Sequence, residues 1–236
     1  MKKNVFNKVL ILAGGKGTRF HPYSHVIPKP LIPIKKKPIL LYLINSFKKY
    51  NFNNFFISTG YHSDLIQAYF GDGKKFKVNI KYFKEKTPMG TAGPIAFVKT
   101  VFSEDEYFIL INGDIFTKLN FKKMLNFSKK GSYDLVVGYV NKKEKSNYGV
   151  LKIFKNKLNS IEEKPVTSIN ISAGIYVIKN KKILSSISKK FLTMPDLINL
   201  FIKKNLKVGA YQVKEYWKGI ENVDNLQEVA SAKFKN

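Results

Sequence analysis

Short apolar runs alternate along the chain with segments whose apolar residues recur at every third or fourth position. The runs have the length and composition of buried strands, and they lie at 9–13, 55–59, 78–83, 107–111, 135–140, 149–154, 173–178 and 208–213. The periodic segments predict amphipathic helices at 39–49, 64–70, 121–129, 195–204 and 223–233. This alternation predicts an α/β fold with a mostly parallel mixed sheet flanked by helices.

One region departs from the alternation. Between residues 135 and 161 the strands follow one another without an intervening helix, which predicts a small β-hairpin insertion on the sheet. Such an insertion could form the wall of a site for a second substrate. The chain has no repeat, low-complexity tract or interdomain linker, so residues 1–236 are predicted to form a single domain.

Composition narrows the class of protein. The hydrophobic fraction of 44% and the aromatic fraction of 14% are typical of a globular protein. No apolar run reaches the ~18–20 residues that span a bilayer. The start, MKKNVFNKVLILAGG, has only about five consecutive apolar residues and is interpreted as a first buried strand rather than a signal peptide. The chain has no cysteine, and we expect a cytoplasmic protein without a membrane partner.

The net charge of +26 raises the hypothesis of nucleic-acid binding. The lysines are spread along the whole chain, commonly in pairs, which is typical of solvated helix ends and loops. We therefore expect no nucleic-acid partner. Among the 42 basic residues only one is an arginine, Arg19. If lysine serves wherever charge suffices, this arginine marks a position where geometry matters, because a guanidinium can grip a phosphate at two points.

The first predicted strand runs directly into the sequence GGKGTR at residues 14–19. Glycines at the carboxyl end of a strand allow backbone N–H groups to approach an anion closely, which predicts a phosphate site. The loop lacks the Walker A pattern, and it fails the dinucleotide fingerprint because Phe20 stands where the last glycine should be.

This segment, LAGGKGTRFHPYSHVIPKPLIPI, resembles the signature of the sugar-1-phosphate nucleotidylyltransferases, also called NDP-sugar pyrophosphorylases. Further matches follow in family order: MGTAGPI at 89–95, INGDIF at 111–116, YGV at 148–150, EEKP at 162–165, ISAGIYV at 171–177 and a tryptophan segment at Trp217. The matches cover nearly the whole chain. The resemblance implies a Rossmann-like sheet and a Mg²⁺-dependent enzyme that transfers a nucleotidyl group from an NTP to a sugar 1-phosphate, releasing pyrophosphate for nucleotide-sugar and polysaccharide biosynthesis.

The resemblance also implies site residues. Arg19 would hold the departing phosphates, Lys29 would stabilise charge around the α-phosphate, and Asp114 would bind Mg²⁺. The expected nucleotide-binding residues are Ala13, Gly14, Gly15, Gly17, Thr18, Glu85, Gly90 and Asn112. Glu85 and Gly90 fall where the family reads the nucleobase. A carboxylate there favours GTP or CTP without excluding UTP. The expected acceptor-binding residues are Gly149, Glu163, Lys164 and Trp217.

The sequence departs from the family at one predicted metal ligand. Many members carry W-x-D-I-G-T, whose aspartate binds the second metal position, whereas here WKGIEN places Gly219 there. Glu221 lies two residues further on, and we hypothesise that it replaces the missing ligand; the alternative is a structural salt bridge. Two other functions stay open: a cytidylyltransferase that acts on a non-sugar organic phosphate, and a catalytically silent regulatory relative. Homo-oligomer formation is also open.

Overall fold

The computed structural model describes residues 7–181, 184, 187 and 190–232. The strands, in chain order, are β1 (Lys8–Ala13), β2 (Pro33–Ile34), β3 (Lys37–Pro38), β4 (Asn54–Thr59), β5 (Asn79–Lys84), β6 (Tyr107–Asn112), β7 (Ile115–Thr117), β8 (Leu135–Lys145), β9 (Val150–Phe154), β10 (Lys157–Glu162), β11 (Val166–Lys179), β12 (Val208–Gln212) and β13 (Trp217–Gly219). The helices are α1 (Ile39–Lys48), α2 (Ser63–Phe70), α3 (Ile95–Val98), α4 (Phe121–Lys130), α5 (Met194–Lys203) and α6 (Val223–Ser231).

Seven strands form the central sheet in the order β12-β8-β11-β6-β1-β4-β5. All of them are parallel except β11, which runs antiparallel to both β6 and β8. The carboxyl ends of six strands therefore meet at one edge, where open α/β sheets bind their ligands. The predicted mostly parallel mixed sheet is confirmed.

Both faces of the sheet are buried, which explains why its central strands read as continuous apolar runs. Alternate residues of β1 point to opposite faces: Val9 and Ile11 pack in one core cluster, and Leu10 packs in the other. Helices α1 and α4 contribute to the first cluster, and α3 and α5 contribute to the second. Of these four helices, α1, α4 and α5 were predicted, because the apolar stripe of each faces one of these clusters.

A third, smaller cluster anchors the loops that follow β1. Phe20 and Ile32 pack there against Phe116 next to β13 and against Ile220 and Val229 near α6. The segment between β1 and α1 is thus fixed by a core of its own. This packing holds the predicted phosphate-contacting residues of the loop against the strands that carry the other site residues.

Strands β8 and β11 continue past the sheet edge as a two-stranded ribbon, paired as far as Lys145 and Val166. The antiparallel pair β9 and β10 follows the ribbon, and every residue of both strands is exposed. The predicted β-hairpin insertion is confirmed. Both ribbon strands are longer than predicted. The outer part of β8 is polar, and that of β11, VTSINIS, carries only separate aliphatic residues on a mostly exposed surface, so neither has the continuous apolar run of a buried strand.

Several short elements were not predicted, namely β2, β3, β7, β13 and α3. They are two to four residues long, too short for a periodic signal, and they depend on tertiary pairing such as that of Trp217 with Thr117. Lys233, the predicted end of the last helix, lies outside the described residues. Within the described chain, no helix combines the length and the apolar character that crossing a membrane requires.

Candidate active site

A cavity of about 390 Å³ lies at the carboxyl ends of β1, β5 and β6. Nine of the residues predicted from the sequence line it: Ala13, Gly14, Gly15, Gly17, Lys29, Glu85, Gly90, Asn112 and Asp114. These residues come from four distant parts of the chain. The position at the carboxyl edge of the sheet is the one that the topology favours for a ligand.

Two of the three glycines of the loop are required by close contacts, and one of these two also by its backbone conformation. A Cβ atom on Gly14 would lie 2.5 Å from Oε1 of Glu85, so a larger residue would displace that carboxylate. Gly17 has a φ of +65°, and a Cβ there would lie 3.1 Å from Cβ of Lys29. The loop therefore packs directly on two other predicted site residues.

Lys29 and Asp114 form an ion pair inside the cavity. Nζ of Lys29 lies 2.5 Å from Oδ2 of Asp114, and the two side chains are only 16% and 30% exposed. Lys29 is held by a short helical turn after Pro28, and its ammonium lies 5.5 Å from the centre of the Phe20 ring. Asp114 lies two residues after the end of β6, and its carbonyl oxygen accepts the N–H of Ile220 at 2.9 Å. In this pair the ammonium could bind a phosphate of a nucleotide, and the carboxylate could bind a metal ion.

Arg19 and Glu221 form a second ion pair, between the glycine loop and the segment before α6. Nη1 of Arg19 lies 2.5 Å from Oε2 of Glu221. Both side chains are exposed, at 69% and 60%, so water screens the pair and it contributes little to stability. Such a contact can exchange partners when a phosphate or a metal ion approaches. Neither Arg19 nor Thr18 lines the cavity of about 390 Å³.

The predicted Mg²⁺ site fits the side chains that are present. Mg²⁺ is usually held by one or two carboxylates together with substrate phosphates. Asp114 offers such a carboxylate at the cavity, and its backbone carbonyl accepts the N–H of Ile220, the residue before Glu221. The described part of the chain contains no group of three or more His, Cys, Asp or Glu side chains suited to a metal ion. A metal here would therefore depend on substrate oxygens for most of its ligands.

Asn112 is the residue of the cavity with an unsatisfied polar atom. Its Oδ1 is buried, and no donor among the described residues reaches it. Its amide nitrogen lies close to Gly174, whose φ of +66° marks a break in the pairing of β11. Beside that break Ser172 and Tyr176 share a hydrogen bond of 3.0 Å, and burial raises the pKa of Tyr176. A buried acceptor without a donor is costly to stability, because it has lost its hydrogen bonds to water.

The predicted acceptor-binding residues are divided between two places. Gly149, Glu163 and Lys164 lie together at the base of the exposed hairpin: Nζ of Lys164 is 3.8 Å from Oε1 of Glu163, and a Cβ on Gly149 would be 3.1 Å from Oε2. Trp217 lines a different cavity, of about 550 Å³, and its indole N–H donates to the carbonyl of Ala173 at 2.8 Å. None of the four lines the cavity of about 390 Å³, and their roles stay predictions.

The sequence reasoning missed several residues of the cavity wall, and these are Leu12, Pro30, Pro88, Met89, Thr91, Gly113 and Phe191. Met89 and Thr91 lie in or beside the MGTAGPI motif, which could have indicated them. Phe191 carries no sequence signal, because it comes from a segment about a hundred residues away. Its ring is 67% exposed although it lines the cavity, so it is available to a flat ligand.

Comparison with known proteins agrees with this geometry. A sequence model described as "Nucleotidyl transferase" matches residues 8–235, almost the full chain. The chain therefore belongs to the nucleotidyl transferase family, and the resemblance to sugar-1-phosphate nucleotidylyltransferases is confirmed.

The relatives include guanylyltransferases. The chain is 30% identical over 216 residues to the mannose-1-phosphate guanylyltransferase catalytic subunit beta of Dictyostelium discoideum, and 27% identical over 217 residues to the mannose-1-phosphate guanyltransferase of Schizosaccharomyces pombe. Each match takes in 89% of this chain and 60% of the relative, so the chain spans well under two thirds of their length. Among solved structures, HddC from Yersinia pseudotuberculosis is similar with a TM-score of 0.75 and 28% identity, covering 95% of this chain and 98% of that one. HddC has also been solved in complex with GMP-PN.

Proposed function

We propose that this chain transfers a nucleoside monophosphate from an NTP to a sugar 1-phosphate, giving an NDP-sugar and pyrophosphate. One observation carries the proposal: the Lys29–Asp114 ion pair lies in the same cavity as the glycine loop. Such a reaction brings two anions together, so a site must neutralise charge and align the reacting atoms. A cation, a carboxylate and a glycine loop in one cavity are suited to that task.

The reaction is an in-line displacement at the α-phosphorus. An oxygen of the sugar 1-phosphate forms a bond to the α-phosphorus while the bond to the β-phosphate oxygen breaks, and pyrophosphate leaves with that electron pair. Backbone N–H groups of residues 13–18 would hold the triphosphate. Lys29 would leave Asp114 and bind the α-phosphate, and Arg19 would leave Glu221 and hold the departing phosphates. Each cation would thereby exchange a protein anion for a phosphate.

Asp114 and Glu221 would hold Mg²⁺, the proposed cofactor. Each carboxylate forms an ion pair with a cation that a phosphate would bind, Asp114 with Lys29 and Glu221 with Arg19. When bound, Mg²⁺ supplies further neutralisation of the phosphate charge. Because Gly219 occupies the position of the family aspartate and Glu221 lies two residues further on, the role of Glu221 is the least constrained of the proposed set. The alternative, a structural salt bridge with Arg19, is the contact seen in the structure.

We propose GTP as the nucleotide. Glu85 lines the cavity and presents a carboxylate, which can accept both N1–H and N2–H of guanine. The names of the relatives, which are guanylyltransferases, support the same base. CTP is the second candidate, since cytosine also offers an amino group to a carboxylate.

We propose that the acceptor binds between the cavity and the hairpin, with Glu163 and the backbone at Gly149 holding sugar hydroxyls and Lys164 holding the phosphate. Trp217 would border this region from the second cavity. We also propose that the sequence acts as a single nucleotidyltransferase domain in the cytoplasm; a homo-oligomer would be compatible with this site.

The test is pyrophosphate release with Mg²⁺ from each of the four ribonucleoside triphosphates and dTTP, paired with sugar 1-phosphates and with alcohol phosphates. We expect release that requires GTP together with one class of sugar 1-phosphate. Release with CTP and an alcohol phosphate would instead identify a cytidylyltransferase. Nucleotide binding without release from any pair would contradict the proposed reaction and indicate a silent relative.

A further inference from the structure

We propose that Ser58 is a positioning residue for nucleobase selection: its hydroxyl fixes the carboxylate of Glu85 in the orientation that reads the base. The inference rests on the proposed function, because that function assigns Glu85 to the nucleobase. The inference goes beyond the proposed function because it assigns part of the base specificity to a buried residue of the central sheet that does not line the cavity.

Ser58 is a polar residue inside an apolar strand. It lies in β4 directly after Phe55, Phe56 and Ile57, between β1 and β5, and it is fully buried. A buried hydroxyl requires a hydrogen-bond partner. The partner is Glu85: Oγ of Ser58 donates to Oε1 at 2.8 Å. A hydroxyl in the core is thus directed at a carboxylate on the cavity wall.

The rest of the Glu85 side chain is held as firmly. Its second carboxylate oxygen, Oε2, accepts the backbone N–H of Met89 at 3.0 Å, and its own N–H donates to the carbonyl of Thr59 at 2.7 Å. The backbone at Gly14 packs against the same carboxylate and limits its movement on that side, since a Cβ on Gly14 would lie 2.5 Å from Oε1 of Glu85. One donor on each oxygen fixes the rotation of the carboxylate about its terminal bond, which is otherwise a soft torsion.

The fixed carboxylate keeps acceptor capacity for a ligand. A carboxylate has about four lone-pair sites, and the protein uses two of them here. Within the described residues no lysine or arginine forms an ion pair with Glu85, although the chain is strongly basic. A preset pair of oxygens matches the two adjacent N–H donors of guanine. The other bases place an acceptor beside their donor, which a carboxylate repels.

Orientation matters most for a two-point contact. A single hydrogen bond tolerates rotation of the carboxylate, whereas two parallel bonds require its plane to coincide with that of the base. Loss of the Ser58 hydroxyl should therefore weaken the binding of guanine more than that of hypoxanthine, which lacks the 2-amino group. The alternative is that Ser58 and Glu85 only clasp the loop at Met89, in which case the loss would lower stability without changing base preference.

The test compares wild type, Ser58→Ala and Ser63→Ala. Ser63 is a matched control because it is also buried, lies five residues further on and bonds to Thr59 at 2.8 Å without contacting Glu85. Dissociation constants for GTP and inosine triphosphate are measured by calorimetry with Mg²⁺, alongside thermal melting and kcat at saturating GTP. We expect Ser58→Ala to raise the dissociation constant of GTP by about 3- to 10-fold, because binding must then fix a carboxylate torsion that the hydroxyl held. The dissociation constant of inosine triphosphate should change by less than about a third as much. The value of kcat should change by less than about twofold, because Ser58 touches neither the phosphates nor Asp114.

The outcomes separate this inference from the proposed function. An unchanged ratio of GTP to inosine triphosphate affinity in Ser58→Ala, with or without a lower melting temperature, overturns the positioning role. If the ratio of GTP to inosine triphosphate affinity falls in Ser58→Ala but no pyrophosphate is released by the wild type, the positioning role stands and the proposed reaction fails. Wild type that binds neither nucleotide overturns both. If Ser58→Ala does not fold, Ser58→Cys, of similar size and with a weaker donor, should show the same change of ratio.

Discussion

The cavity of about 390 Å³ and the β9–β10 hairpin are built in opposite ways. In the cavity, Glu85 is held by donors on both oxygens, and Lys29 and Asp114 are mostly buried in contact with each other. In the hairpin every strand residue is exposed, and Lys164 and Glu163 meet only loosely at 3.8 Å. The first region is supported by both faces of a seven-stranded sheet, whereas the second projects beyond its edge.

This difference indicates how a nucleotidyltransferase can keep one reaction and change its acceptor. Of the groups proposed to act on phosphate, the glycine loop follows β1, Asp114 follows β6, and Lys29 lies in the segment that the third core cluster fixes, whereas Arg19 is exposed. The groups proposed to hold the sugar lie on a ribbon and hairpin whose residues make few core contacts and can change without cost to the fold. This separation predicts that substitutions in the cavity affect turnover with every acceptor, whereas substitutions in the hairpin affect only acceptor affinity.

The largest effect is expected for Asp114→Asn. It removes the carboxylate at the centre of the cavity and leaves Lys29 without its partner, so turnover should fall by roughly 10²- to 10³-fold. Pyrophosphate release with saturating substrates measures this. Asp64→Asn, an exposed position on α2, is the control and should retain full turnover. A loss of less than about tenfold at Asp114 would mean that the cavity is not the reacting centre.

Arg19→Lys should lower kcat/KM by about 10- to 100-fold, because an ammonium cannot make the two-point contact of a guanidinium with phosphate. The effect should be the same for every acceptor. Lys16→Ala, an exposed position in the same loop, is the control and should change little. Wild-type kinetics for Arg19→Lys would show that the only arginine of the chain is not required for its geometry.

Glu221→Gln distinguishes a metal ligand from a salt bridge. If Glu221 binds the metal, the Mg²⁺ concentration for half-maximal turnover should rise by about tenfold. If it only neutralises Arg19, Mg²⁺ dependence should be unchanged, and GTP should bind more tightly because Arg19 is released from the pair. Titration of Mg²⁺ at fixed GTP separates the two, and Glu228→Gln on α6, which pairs with Lys218 instead, is the control.

Lys164→Ala should raise the KM for the sugar 1-phosphate by about tenfold and leave the KM for GTP unchanged, since one charge-assisted contact to the acceptor phosphate is lost. Lys157→Ala, an exposed lysine on β10 of the same hairpin, is the matched control. A rise in the KM for GTP instead would contradict the separation of the two regions.

The smallest effect is expected for Phe191→Ala. A base that stacks on this exposed ring should lose about fivefold in affinity, equally for GTP and inosine triphosphate because stacking does not depend on the 2-amino group. Phe154→Ala on the hairpin, also exposed, should have no effect on nucleotide affinity. An unequal loss would indicate that Phe191 contributes to base selection rather than to stacking alone.

The sequence by itself determined the sheet, its main helices and nine of the residues that line the cavity of about 390 Å³. The apolar runs could be read as strands because they are buried on both faces, and the helices because one stripe of each is apolar. Three glycines, a proline-framed lysine and the aspartate after β6 are local patterns, so they identified the residues of the cavity before their contacts were known. The hairpin was also predicted from a local pattern, a succession of strands without an intervening helix.

Only the tertiary structure decided which of those residues meet. That Lys29 pairs with Asp114, that Arg19 pairs with Glu221, and that Trp217 lines a second cavity depends on strand order and loop packing between segments up to two hundred residues apart. Ser58 gives the clearest case, since a serine in an apolar strand has no local signal of function. Its role follows from a hydrogen bond between neighbouring strands, and such a bond exists only once β4 and β5 lie side by side.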